Sequence, residues 1–171
     1  GFVVYGYSMV CIGFGQGISP IVSICWGAKE KETATKIRSI TNRILLAIGT
    51  LTALSFFIAG KRYAEIFGCS NSIADMVATG FRIYAITFLA MGYDVTGSMY
   101  FTSCGDAKSS AIISSLRGIV LLLAFILIFP AIFGMNGVWM ASPCAETLTA
   151  IVTFVLIRRQ VRKNKEEENG R

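Results

Sequence analysis

Four charged side chains stand inside otherwise apolar stretches: Arg82, Asp94, Arg117 and Glu146. A charge in hydrocarbon is costly, so each marks either a function or a deliberate pairing. Asp94 lies eight residues before Thr102, the expected inner end of its helix. That is about 12 Å along the axis, near the bilayer centre. Thr87, Ala90, Gly97, Ser98 and Thr102 fall near it at helical spacing. Such a small, polar stripe suits a water-filled cavity or a helix interface. Asp94 is then either a carboxylate that alternates between a cation, a proton and a substrate, or a neutral or paired acid joining two helices. Glu146 also lies near mid-depth, shortly after Pro143, which removes a backbone donor. It can bind a cation or pair with a basic group. Arg82 and Arg117 lie nearer the helix ends, where long side chains reach the interface, so pairing or anchoring is expected of both.

In the first apolar stretch, Gly13 and Gly17 are spaced for close helix packing. Pro20 is expected to kink the same helix. The Gly-x-Gly at Gly13 and Gly15 follows no strand, which removes the nucleotide-binding reading. Asp94 and Asp106 are twelve residues apart on one expected helix. About 18 Å of axial separation excludes a proton-sharing aspartyl pair. The chain has no His, so Ser-His and Cys-His pairs are absent, and zinc and haem lose their commonest ligand. Cys11, Cys25, Cys69, Cys104 and Cys144 show no C-x-x-C spacing and read as small hydrophobic fillers. No catalytic constellation and no cofactor is expected. Neither is a resident metal, beyond a transported sodium ion.

The elements that position these residues follow from hydropathy. The chain has 171 residues, 54% of them hydrophobic. Residues 1–28 and 118–145 contain no charge. A bilayer span takes about 20 apolar residues. Five spanning helices are expected, at about 2–26, 44–60, 73–103, 111–133 and 137–157. Strict alternation is absent, which excludes a β-barrel. An all-α integral membrane fold follows.

The net charge of +6 does not point to nucleic acid, because the cations gather between the spans and in the tail. Lys29, Lys31, Lys36, Arg38 and Arg43 precede the second span, Lys108 precedes the fourth, and residues 158–171 form a basic tail. With five spans these segments share one face, which the positive-inside rule makes cytoplasmic. The opposite face carries Lys61 and Arg62 in an expected amphipathic surface piece, residues 61–67. Trp26 and Trp139 fall at interfaces. Pro130 is expected to end the fourth helix before a tight turn at 133–137, and the tail after Arg162 to be disordered. Residue 1 is Gly, and no basic region precedes the first apolar stretch. A signal peptide is therefore not expected, and the chain is expected to start mid-protein.

Three groups of residues carry a resemblance. Gly-Ile-Ser-Pro-Ile-Val-Ser (17–23) is followed by Trp-Gly-Ala-Lys (26–29). Cys-Gly-Asp-Ala-Lys-Ser-Ser (104–110) precedes Ser-Leu-Arg (115–117). Phe-Gly-Met-Asn-Gly-Val-Trp-Met-Ala-Ser-Pro-Cys-Ala-Glu (133–146) opens the last helix. In order and spacing the chain resembles the C-terminal part of multidrug and toxic compound extrusion (MATE) transporters. The resemblance implies twelve helices in two six-helix lobes, of which this chain supplies helices eight to twelve, most of one lobe. It implies a missing N-terminal lobe on the same polypeptide and a multi-pass plasma-membrane protein with a cytoplasmic C-terminus. It also implies export of organic cations in antiport with sodium or protons by alternating access. Asp94 falls near an acidic position of the tenth helix that serves ion coupling in some members. Glu146 matches the acidic position after the Pro of the last helix. A lipid-linked oligosaccharide flippase of related architecture and a non-transporting scaffold subunit are the competing readings.

Overall fold

The computed structural model describes residues 2–66 and 71–169. Cys69 and Phe67 lie outside the described residues. The order is α1 (Phe2–Gly27), α2 (Lys31–Ile66), α3 (Asn71–Ser103), α4 (Ala107–Ser115), a π-helical turn (Leu116–Val120), α5 (Leu121–Phe133) and α6 (Met135–Asn169). α4, the π turn and α5 form one long rod. Among the described residues the chain therefore forms five helical rods.

The connections are shorter than expected, and two of them end helices in the same way. After α1, Glu30 donates its N–H to the Cys25 carbonyl and Lys29 donates to Trp26, with Lys29 at φ 65°. After α3, Asp106 donates to Phe101 and Gly105 to Thr102, with Gly105 at φ 78°. Both are Schellman closures, which satisfy otherwise orphaned carbonyls with one left-handed residue. α2 starts at Lys31, so the expected basic loop at 29–43 is mostly helix. Glu32 complements the helix N-terminus and pairs with Lys36 at 2.8 Å. Polarity had suggested a loop there, but charged residues at i,i+4 spacing suit a solvated helix equally well.

The same reasoning corrects three other expectations. α2 runs through residues 61–66 rather than breaking into a separate surface piece. α6 continues to Asn169, so the expected disordered tail is helical, with Arg162 paired to Glu166 at 2.8 Å. Pro130 lies within α5, which ends three residues later at Phe133. Gly134, at φ 57°, is the single residue between α5 and α6. A Cβ at Gly137 would overlap the Phe129 carbonyl, so glycine there lets the two helices close into a hairpin.

α3 is the axis of the bundle, packing on α1, α2, α4 and α6. Its residues Ala85, Thr87, Phe88, Met91, Asp94, Val95, Thr96, Tyr100 and Phe101 are all buried. Among the described residues, four segments are long and apolar enough to cross a membrane: Val4–Gly27, Lys31–Gly60, Ala107–Phe133 and Met135–Asn164. Thr87, Asp94 and Thr96 of α3 are buried within the bundle. A helix shielded by protein can carry threonines and an aspartate that a lipid-facing helix cannot. α5 is the converse: Leu123, Ile126, Leu127, Ile128 and Ile132 are exposed, as hydrocarbon solvent allows.

Two apolar clusters hold the bundle. One joins Tyr7, Cys11, Leu45, Phe56, Phe88, Met91 and Val95. The other joins Val22, Ala34, Tyr100, Phe101, Ile113 and Ile157. The second cluster brings together the C-terminal parts of α1 and α3, the N-terminal part of α2, Ile113 of α4, and α6 near its basic extension. The three basic segments therefore gather at one end of the bundle.

α1 docks along Tyr7, Cys11, Gly15 and Val22. A Cβ at Gly15 would lie 2.9 Å from Met99 Cγ, so this glycine brings α1 close to α3. Gly13 and Gly17, expected to do this, face outward, and a Cβ on either meets nothing within 4 Å. Two residues turn a helix by about 200°, so alternate glycines face opposite ways and only one face packs. α1 is helical throughout, across Pro20 to Gly27.

Candidate functional site

Three rods deliver three charges to one place. Asp94 on α3, Arg117 on the π turn and Glu146 on α6 line a cleft of about 400 Å³, together with Ser98, Ser114 and Gly118. Asp94 is fully buried and Glu146 is 7% exposed. Ser114 and Gly118 are exposed, so the cleft opens past the fourth rod.

Each carboxylate has one committed oxygen. Thr153 Oγ1 donates to Asp94 Oδ1 at 3.0 Å. Arg117 Nε donates to Glu146 Oε1 at 3.1 Å. Asp94 Oδ2 and Glu146 Oε2 are buried without a hydrogen-bond partner. Two carboxylates against one guanidinium leave one negative charge when both are ionised. One proton or one monovalent cation balances it.

Local sequence explains how these groups reach each other. Gly97, three residues past Asp94, packs so tightly on α6 that a Cβ would overlap Thr153 Cγ2. That close approach brings the Thr153 hydroxyl to Asp94. On the fourth rod, Leu121 N–H bonds to the Leu116 carbonyl, an i→i+5 bond that widens the turn carrying Arg117 and Gly118. Such bulges concentrate at functional sites because they re-aim side chains at a cost to the helix.

A run of hydroxyls connects the cleft to the basic end. Ser98 bonds Ser114 at 2.9 Å and Ser110 at 3.1 Å, and Ser110 bonds Thr102 at 2.7 Å. Just beyond, Asp106 caps α4, accepting from Ser109 N at 3.1 Å and Ser109 Oγ at 2.7 Å. Those two bonds hold its carboxyl below the usual carboxylate range.

The structure thus unites Asp94, Glu146 and Arg117. Arg117 turns inward to Glu146 rather than anchoring at the interface. Arg82 is separate, exposed on α3, and Gly13, Gly17 and Pro20 do not line the cleft. Trp139 wedges its ring against Gly80, where a Cβ would meet it at 2.5 Å.

The sequence profile of the MatE family matches residues 2–129. The chain belongs to the MatE family. Among curated MatE-type relatives, the multidrug export protein MepA of Staphylococcus aureus (strain bovine RF122 / ET3-1) is 20% identical over 154 residues, covering 87% of this chain and 33% of MepA. The probable multidrug resistance protein YoeA of Bacillus subtilis (strain 168) is 26% identical over 161 residues, covering 90% of this chain and 34% of YoeA. The chain therefore spans about a third of the length of these relatives. A crystal structure of MATE in complex with MaL6 shares the fold, with a TM-score of 0.74 and 21% identity over 95% of this chain and 38% of that one.

Thr153 and the π turn escape sequence reasoning. Thr153 reads as filler in an apolar stretch, and no residue pattern marks a π turn. The stripe through Gly97 and Ser98 was the one available signal that α3 meets another helix beside Asp94.

Proposed function

We propose that the full-length protein is a secondary active transporter that exports cationic, amphipathic compounds in exchange for sodium ions or protons. The observation that carries this reading is the pair of unpartnered, buried oxygens, Asp94 Oδ2 and Glu146 Oε2, on two residues that line one open cleft. A buried polar atom without a partner is costly, so it is a place that a proton or cation stabilises on arrival. Filling it changes the charge between α3, α6 and the fourth rod. That change favours one packing of these rods over another. A ligand shifts such an equilibrium only by its differential affinity for the two states, so ion and drug must prefer opposite ones. The gradient supplies the driving force, and no cofactor enters the scheme.

In this reading the protein sits in the plasma membrane, and the charge bias supports a cytoplasmic position for the basic end of the bundle and the α6 extension. The bond from Arg117 to Glu146 weighs against the flippase reading, in which a pyrophosphate would claim that guanidinium.

The test is Asp94→Asn in the full-length protein, reconstituted in vesicles with an imposed sodium or proton gradient. Gradient-driven dye efflux should be lost while membrane insertion is retained. Unchanged efflux would sink the assignment. A scaffold subunit would tolerate the substitution.

A further inference from the structure

A second cleft, of about 760 Å³, lies at the basic end of the bundle, away from the acidic site. Its charged lining is Arg38, Arg158, Arg159, Arg162 and Glu166. Glu166 is bonded to Arg162 at 2.8 Å, which leaves three arginines without a carboxylate partner among the described residues of the cleft. The remaining wall is apolar or aromatic, with Tyr93, Phe154, Val155 and Ile157 among its members.

Arg38 sets this cleft apart from an ordinary charged surface. It is only 8% exposed, and its Nε and Nη1 are buried with no hydrogen-bond partner. Its guanidinium lies 5.7 Å from the Tyr93 ring centroid and 5.6 Å from that of Tyr100. Those rings hold the charge in place but accept none of its N–H groups in the plane. A guanidinium offers a planar fork matched to carboxylate or phosphate oxygens. Arg158, stacked 4.4 Å over Phe154, and the exposed Arg159 stand at the cleft's rim.

We infer that this cleft binds the phosphate headgroup of an anionic phospholipid. Arg38 supplies the buried fork, Arg158 and Arg159 close over the phosphate, and the acyl chains lie along Phe154, Val155 and Ile157. The charge pattern selects an anion. The apolar wall and the position at the basic end of a membrane bundle select a lipid rather than a soluble anion, because the inner leaflet presents anionic headgroups at that depth. The assignment uses the orientation given under Proposed function. Its test measures binding with neither gradient nor drug, so failure of the transport reading leaves the outcome interpretable.

The experiment is native mass spectrometry of the full-length protein in neutral detergent, with phosphatidylglycerol or phosphatidylcholine added at equal concentration. Phosphatidylglycerol adducts should dominate and should fall about fivefold in Arg38→Gln. Millimolar inorganic phosphate should not displace them. Should Arg38→Gln fail to fold, Arg158→Gln combined with Arg159→Gln removes two rim charges from an exposed surface and should lower the same adducts. Arg82→Gln, remote from the cleft, should leave them unchanged. Equal binding of the two lipids overturns the inference. So does full retention of adducts in the arginine variants. Displacement by phosphate would show a free-anion site and overturn the lipid assignment.

Discussion

Thr153 on α6 donates a 3.0 Å hydrogen bond to Asp94 on α3, and both residues are fully buried. This bond satisfies one carboxylate oxygen and leaves the other buried without a hydrogen-bond partner. Thr153→Val keeps the shape and removes the donor. A buried acceptor left unsatisfied costs about 1–3 kcal/mol. The variant should melt at lower temperature in detergent, and its efflux should need a different ion concentration for half-maximal rate. An unchanged ion dependence would leave Thr153 a purely structural partner.

Gly97 permits that bond, because any Cβ there runs into Thr153. Gly97→Ala should destabilise by about 1–3 kcal/mol through overpacking. Gly13→Ala and Gly17→Ala should do the opposite. Nothing lies within 4 Å of either added methyl, and alanine is the better helix former by about 1 kcal/mol. Melting temperatures of the three variants should divide in that order. Destabilisation by Gly13→Ala or Gly17→Ala would place those glycines in an interface after all.

Arg117 and Glu146 form a part-buried pair, at 26% and 9% side-chain exposure. Arg117→Gln leaves Glu146 and Asp94 without their shared cation, and breaking such a pair from one side costs about 3–5 kcal/mol when fully buried. The partial exposure of Arg117 reduces that figure. Adding Glu146→Gln should recover most of the loss. A double-mutant cycle on thermal stability reads the coupling, and strict additivity would show that the bond contributes nothing.

Asp106 caps α4, so Asp106→Ala should cost about 1 kcal/mol. Its folded-state carboxyl sits below the ordinary value, held there first by the Ser109 hydroxyl. The stabilisation is therefore complete above the ordinary carboxylate value and is lost as pH falls through the lowered one. Melting curves of wild type and Asp106→Ala should converge in acid and separate towards neutrality. A constant gap across that range would be inconsistent with a charged cap.

Lys29 adopts the left-handed conformation that glycine holds at the equivalent position after α3. A side chain there costs about 1–2 kcal/mol, offset in part by the stiffer unfolded chain. Lys29→Gly should raise the melting temperature while leaving α1 and α2 unaltered by circular dichroism. A lower melting temperature would mean that Lys29 makes contacts that outweigh its backbone strain.

Sequence by itself determined the membrane class, the number of rods and the gathering of basic segments at one end. Those are properties of single helices: enough apolar residues to span, and cations kept out of hydrocarbon. It also singled out Asp94 and Glu146, because a carboxylate in an apolar run is conspicuous without any neighbour. The helix ends were misplaced at residues 29–43 and after Arg162, since polarity does not distinguish a loop from a solvated helix. Which glycine packs was decided only in three dimensions: Gly15 and Gly97 face a neighbour, and Gly13 and Gly17 do not. The same holds for the partners of the two acids. Arg117 lies 29 residues before Glu146, and Thr153 lies 59 residues after Asp94. No local pattern encodes such pairings, because they depend on how far each rod is turned and shifted against α3. The widened π turn and the glycine contact at position 97 set that geometry, and so made one cleft out of separately readable charges.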